Sequence, residues 1–132
     1  MSDVFRKLNL KHQREITILN SPSSFESEIA LLTDIKVSRS LGEKTGIGFI
    51  LIFVTRKLEI EELSPLLRPK PEEDPIIWFA YPKGTSKNYT CDFNRDNGWE
   101  SLKSIGLDTV RQISIDDDWS ALRFRNQQFI KY

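Results

Sequence analysis

The stretch Pro75–Gly84, Pro-Ile-Ile-Trp-Phe-Ala-Tyr-Pro-Lys-Gly, constrains the fold more than any other part of the chain. Every residue from Ile76 to Tyr81 is apolar or aromatic, the pattern of a strand covered on both faces. Proline cannot donate to a sheet ladder, so Pro75 and Pro82 mark its limits. A second run of the same kind, Phe49–Val54 (Phe-Ile-Leu-Ile-Phe-Val), lies upstream. Strands without a solvent face need layers above and below, and the rest of the chain must supply them.

The remaining segments fit that demand. Residues 1–14 form a polar, amphipathic lead-in with Val4, Phe5 and Leu8 placed to dock. Glu15–Leu19 is a strand by its β-branched content. After the break at Asn20-Ser21-Pro22, Ser23-Ser24-Phe25-Glu26 fits a capping box, and Phe25, Ile29 and Leu32 give a helix over Ser24–Leu32. Asp34–Ser40 alternates as an edge strand, and the glycine-rich Leu41–Gly48 is a loop. Arg56–Leu67 is a helix with Leu58, Leu63, Leu66 and Leu67 on one side, its last turn distorted by Pro65. Pro69–Pro75 is an extended connector.

Beyond Tyr81, Asn94 is placed to cap a helix bearing Trp99, Leu102 and Ile105. Gly98 weakens that helix, and Gly106 ends it. Thr109–Ile115 and Trp119–Arg125 are strands joined by the Asp116–Asp118 turn, close enough in sequence to form an antiparallel hairpin. Residues 126–132 are a short tail. Strands alternating with helices give one α/β domain over residues 1–132, with its core at 15–125. The expected architecture is a three-layer α/β/α sandwich whose mostly parallel sheet ends in an antiparallel hairpin.

Composition narrows the function classes. The chain has 132 residues, 39% of them hydrophobic and 11% aromatic, enough to build a real core. Lys+Arg and Asp+Glu are 19 each, so there is no surplus of positive charge to displace counterions from a nucleic acid. The single cysteine, Cys91, cannot form an internal disulfide. The opening residues lack the apolar core of a signal peptide, and no apolar run approaches the length of a membrane span. The expectation is a cytoplasmic protein without membrane or nucleic-acid partners.

Trp78-Phe79-Ala80-Tyr81-Pro82-Lys83-Gly84 and Asp116–Phe124, with Asp92–Asp96, a helix and Gly106-Leu107 between them, resemble a family of small bacterial proteins of unknown function. Those proteins look like reduced, methyltransferase-type Rossmann domains. The likeness spans residues 15–125 and implies a Rossmann-like sheet and a bacterial, cytoplasmic setting. It brings no activity, cofactor or catalytic residue with it. The first strand's turn, Leu19-Asn20-Ser21-Pro22-Ser23-Ser24-Phe25, lacks the glycines that let a backbone approach a nucleotide. The Asp34–Ser40 strand ends Ser-Arg-Ser, without the acid that binds ribose hydroxyls. Both features weigh against an adenosyl cofactor, and none is expected.

Among candidate sites, Lys83-Gly84-Thr85-Ser86-Lys87 stands out, because it follows a central strand at the sheet edge where open α/β folds place ligands. Its lysines and hydroxyls can hold an anion by charge-assisted hydrogen bonds, and the competing reading is a solvated loop. Asn20, Ser21, Ser23 and Ser24 end the first strand on the same edge and could share the pocket. Gly42–Gly48 mimics a phosphate loop, yet it precedes a strand instead of opening a helix. Asp116–Asp118 lacks calcium-loop spacing and is read as a turn. His12 and Cys91 fall short of a zinc set, and nothing in their spacing makes a catalytic pair. Arg111, Arg123 and Arg125 could form a basic stripe, with pairing to aspartates or plain solvation the simpler reading.

No acid/base pair, activated nucleophile or metal set is visible. The leading expectation is therefore a non-enzymatic module that binds a protein partner or an anionic metabolite at Lys83–Lys87. The alternatives are a degenerate S-adenosylmethionine-dependent transferase and a domain self-associating through Asp34–Ser40.

Overall fold

The apolar runs form a single sheet in the computed structural model, which describes residues 3–41 and 48–132. The elements are α1 (Asp3–Lys7), β1 (Glu15–Leu19), α2 (Glu26–Ala30), β2 (Lys36–Ser38), β3 (Phe49–Phe53), α3 (Lys57–Leu63), β4 (Ile76–Pro82), α4 (Glu100–Lys103), β5 (Leu107–Ser114) and β6 (Trp119–Asn126). The strand order is β2-β1-β3-β4-β6-β5. The first four run parallel, and β6 is antiparallel to both β4 and β5. The Gly42–Gly48 phosphate-loop mimic lies outside the described residues except for Gly48.

Alternation along each buried strand feeds two separate cores. Phe49, Leu51, Phe53, Trp78 and Ala80 face one layer, where α1 contributes Val4 and Phe5, the turn before α2 Phe25, and α2 Ile29. Ile50, Ile52, Ile77, Phe79 and Tyr81 face the other, where α3 and α4 contribute Ile60 and Leu102. This is the three-layer sandwich that doubly buried strands require. From the β1–β3 pair, the α2 crossover steps outward to β2 and the α3 crossover steps the other way to β4. Right-handed crossovers in opposite directions put their helices on opposite faces and make the β1–β3 boundary the topological switch point.

Several local expectations are corrected. Ser23–Phe25 is a 3-10 turn, and α2 begins only at Glu26 with no side-chain cap. The capping box fails because Glu26 is taken by the fork of Arg39, whose Nη1 and Nη2 lie 2.8 and 2.9 Å from its oxygens. Over α3 and the 3-10 turn that follows it, the inward residues are Ile60 and Leu67, with Leu63 partly covered, while Leu58 and Leu66 are 55% and 64% exposed. Ile60, Leu63 and Leu67 follow at helical spacing, and Leu58, two residues before Ile60, points away. Pro65 does convert the helix end, to a 3-10 turn over Ser64–Leu67.

Asn94 caps no helix: its Oδ1 accepts the N–H groups of Asp96 and Asn97 at 2.8 and 3.1 Å, an Asx turn. Gly98 lies before α4 in that turn, with φ of 99°, while Gly106 does follow α4, with φ of 95°. Asn126, 6% exposed, donates from Nδ2 to the carbonyls of Lys70, Pro71 and Glu73 at 3.3, 3.4 and 2.8 Å. The proline-rich connector is thereby strapped to the end of β6.

Candidate functional site

The loop after β4 is shaped by the β5–β6 turn. Lys83 N donates to Asp118 O at 2.8 Å. Ser86 Oγ donates to Asp118 Oδ1 at 2.8 Å and accepts the N–H groups of Asn88 and Tyr89. Asn88 Nδ2 adds a bond to Asp118 Oδ2 at 3.2 Å. Asp116 Oδ1 accepts from the backbone N–H groups of Asp118 and Trp119, both at 2.8 Å. The aspartate run is thus a turn whose side chains hold backbone and loop.

Of the five residues singled out in this loop, Ser86 is occupied internally and Lys87 is exposed. Lys83 Nζ donates to Ser114 Oγ at 2.7 Å. Lys83, Gly84, Thr85 and Ser86 line an open cleft of about 690 Å³ beyond the carboxyl end of β4. Its opposite wall comes from the Thr90–Asp96 segment, and its floor includes Tyr81, Gln112 and Ser120.

The polar floor is linked. Gln112 Nε2 donates to Tyr81 Oη at 2.9 Å, and Arg95 Nη1 donates to Gln112 Oε1 at 3.4 Å. Burial pushes the Tyr81 phenol above its usual range, with Arg95 partly offsetting it, so the group is neutral at physiological pH. Its oxygen already accepts from Gln112, which leaves its O–H to donate. Cys91 lines the same cleft, with its S–H donated to Phe93 O at 2.9 Å. Lys83 and Arg95 bring two positive charges to the walls, with Asp96 beside Arg95 at 3.4 Å.

The first-strand loop ends on the same sheet edge, since β1 and β4 flank β3 in parallel. Asn20, Ser21, Ser23 and Ser24 do not line the cleft. Asn20 takes the left-handed turn with φ of 59°, and Ser21 Oγ bonds Glu26 and the Arg39 guanidinium. A chain of ring contacts runs from Phe25 through Phe53 and Trp119 to Tyr89, with centroids 5.0, 5.1 and 4.8 Å apart. At the switch point, Glu59 Oε1 accepts the N–H groups of Thr55 and Arg56, and Asp92 Oδ1 accepts that of Lys57. Carboxylates of this chain therefore answer donors at the start of α3 that a phosphate could otherwise use.

His12 lines a different hollow, with Lys11, Arg14 and Leu32. Among the described residues no group of three or more His, Cys, Asp or Glu side chains could hold a metal. No helix among them is long and apolar enough to cross a membrane.

The Arg39 fork and Ser21 hold the Glu26 carboxyl below its ordinary value of 4.5. A depressed folded pKa gives stability that is present above the unfolded value and lost as pH falls through the folded one. Arg39→Ala is expected to return the Glu26 titration toward 4.5. Carboxyl-resolved NMR titration checks this, and an unchanged midpoint would refute the pairing.

Sequence reasoning missed Tyr81, Arg95 and Gln112 as cleft residues. Tyr81 ended an apolar run, Gln112 sat in an ordinary alternating strand, and Arg95 lay in a segment read as helix.

No family model matches the sequence, and no curated protein matches it. Among solved structures, the chain is similar to a protein in the NADB-Rossmann superfamily from Streptococcus agalactiae, with TM-score 0.55 and 11% identity. That match covers 100% of this chain and 71% of the other. At this identity the likeness speaks for the fold alone, and with the strand order above it makes this a Rossmann-like α/β domain.

Proposed function

We propose that this domain is a non-enzymatic module that binds a small anionic metabolite in the cleft beyond β4. The observation that carries the reading is the convergence of Lys83 and Arg95 on one open cleft at the carboxyl end of a central strand. Open α/β sheets place ligands beyond the carboxyl ends of their strands. Tyr81 O–H and the Thr85 hydroxyl supply neutral donors beside the two cations. Each charge-assisted bond to a bound anion contributes about 1.5–3 kcal/mol.

The test is a thermal-shift and calorimetric screen with phosphate, sugar phosphates and nucleotides. Lys83→Ala and Arg95→Ala are each expected to weaken the best ligand by roughly 10- to 100-fold. Lys87→Ala, outside the cleft, should leave affinity unchanged. A flat screen, or full affinity in the Lys83→Ala, Arg95→Ala double variant, removes the proposal.

A second reading, a degenerate adenosyl-cofactor transferase, has one observation in its favour. β6 inserts antiparallel between β4 and β5, the hairpin ending expected from the spacing of the last two strands, in a chain whose sequence resembles methyltransferase-type Rossmann domains. Against it stand Pro22 in the first turn and the carboxylates at the start of α3. S-adenosylmethionine and S-adenosylhomocysteine in the same screen decide the matter: a shift with either one favours the transferase.

A further inference from the structure

A second group of positive charge lies away from the cleft, on the sheet face that carries Trp78 and Ala80. Arg111 of β5 and Arg123 of β6 are direct register partners. Residues directly opposite in an antiparallel pair share a face, with Cβ atoms about 4.5–5.5 Å apart, and like charges there repel. Ala121, two residues before Arg123, belongs to the core under α1 and α2, which fixes the face by the strand period. Trp78 of β4 is the register partner of Arg123 on its other side.

Among the described residues neither arginine forms an ion pair. Arg125, two residues on, is neutralised by Asp74, with Nε and Nη2 at 3.0 and 2.8 Å from its carboxylate oxygens. Arg123 is half-buried, and its Nε is shut off from solvent with no hydrogen-bond partner. Burial pushes the Arg123 guanidinium below its usual range, with Arg125 and Arg111 adding to the shift and Asp74 partly offsetting it. A partly desolvated cation that makes no ion pair and sits beside another cation destabilises the free protein.

We infer that Arg111 and Arg123 form an oxyanion site that takes a phosphate group. Two unpaired guanidiniums carry a charge of two, which one phosphate monoester matches and one carboxylate does not. The planar guanidinium fork fits phosphate oxygens bidentately. The site is independent of the cleft: it uses neither Lys83 nor Arg95.

The experiment follows the side-chain Nε–Hε signals of Arg111 and Arg123 by NMR during titration with inorganic phosphate. Acetate at matched ionic strength is the control. Phosphate is expected to move both signals, and acetate to move neither comparably. Arg111→Gln, an exposed change that leaves the fold intact, should abolish the phosphate response of Arg123, whereas Lys83→Ala should preserve it. Arg123→Met, which keeps the stem and removes the charge, should raise the melting temperature by several degrees and lose the response.

A phosphoserine peptide separates the sources. Tighter binding than inorganic phosphate assigns the group to a phosphorylated protein, and equal binding assigns it to a free phosphate. Still signals under phosphate, or equal movement under acetate, overturn the inference. So does an Arg123→Met variant that melts lower yet keeps the phosphate response at Arg111.

Discussion

Trp78→Ala is expected to lower the unfolding free energy by about 3–5 kcal/mol, the cost of emptying a large aromatic site in a packed core. Trp78 is fully buried in the middle of β4. Its indole Nε1 also donates to Leu8 O at 2.8 Å, tying the segment after α1 to the sheet. The substitution therefore empties a core site and leaves a buried carbonyl without its donor, and both costs fall within that range. A domain of this size holds roughly 5–15 kcal/mol in total, so much of its stability would go. Urea unfolding followed by circular dichroism measures the loss. Trp78→Phe separates the terms: it keeps most of the volume and should cost about 1–3 kcal/mol for the unpaired carbonyl. A loss below 1 kcal/mol for Trp78→Ala would show that the layer over this face contributes little.

The second large effect is at Gly98. Its φ of 99° lies where side chains are strained, and an added Cβ would sit 2.7 Å from Phe93 Cβ. Backbone strain and overpacking together predict a loss of about 2–4 kcal/mol for Gly98→Ala. Because Phe93 and the Asn94–Asp96 turn wall the cleft, relief of the clash displaces Arg95. The variant should lose ligand affinity as well as stability, whereas Gly106→Ala, with nothing within 4 Å of its Cβ, should cost stability alone. Denaturant midpoints paired with calorimetry distinguish the two; full affinity in Gly98→Ala would detach the turn from the site.

The sheet was legible because its signals are strong and local. Phe49–Phe53 and Ile76–Pro82 are apolar without interruption, and such runs have little choice but a doubly covered strand. The hairpin followed from the short Asp116–Asp118 turn. Helices were less legible because they are short: α2 and α4 span 5 and 4 residues, and tertiary packing decides so few turns. Asn94 looked like a helix cap because a side-chain oxygen that answers two N–H groups serves an Asx turn equally well. The lysine loop was placed correctly on the strand end, and four of its five residues line the cleft. Its other wall was hidden because Arg95 reaches the floor through Gln112, a partner 17 residues away, and no periodicity encodes that.

The position of β6 inside the sheet sets the order of events during synthesis. β6 follows β5 in the chain yet pairs between β4 and β5. Until residues 119–126 leave the ribosome, β4 offers its Ile-Ile-Trp-Phe-Ala-Tyr edge with no partner, and β5 has nothing to pair with. An exposed, uncharged aromatic edge of that kind recruits other chains. Nascent chains halted before Trp119 are therefore the vulnerable species, and release of one eight-residue strand both completes the sheet and removes the hazard.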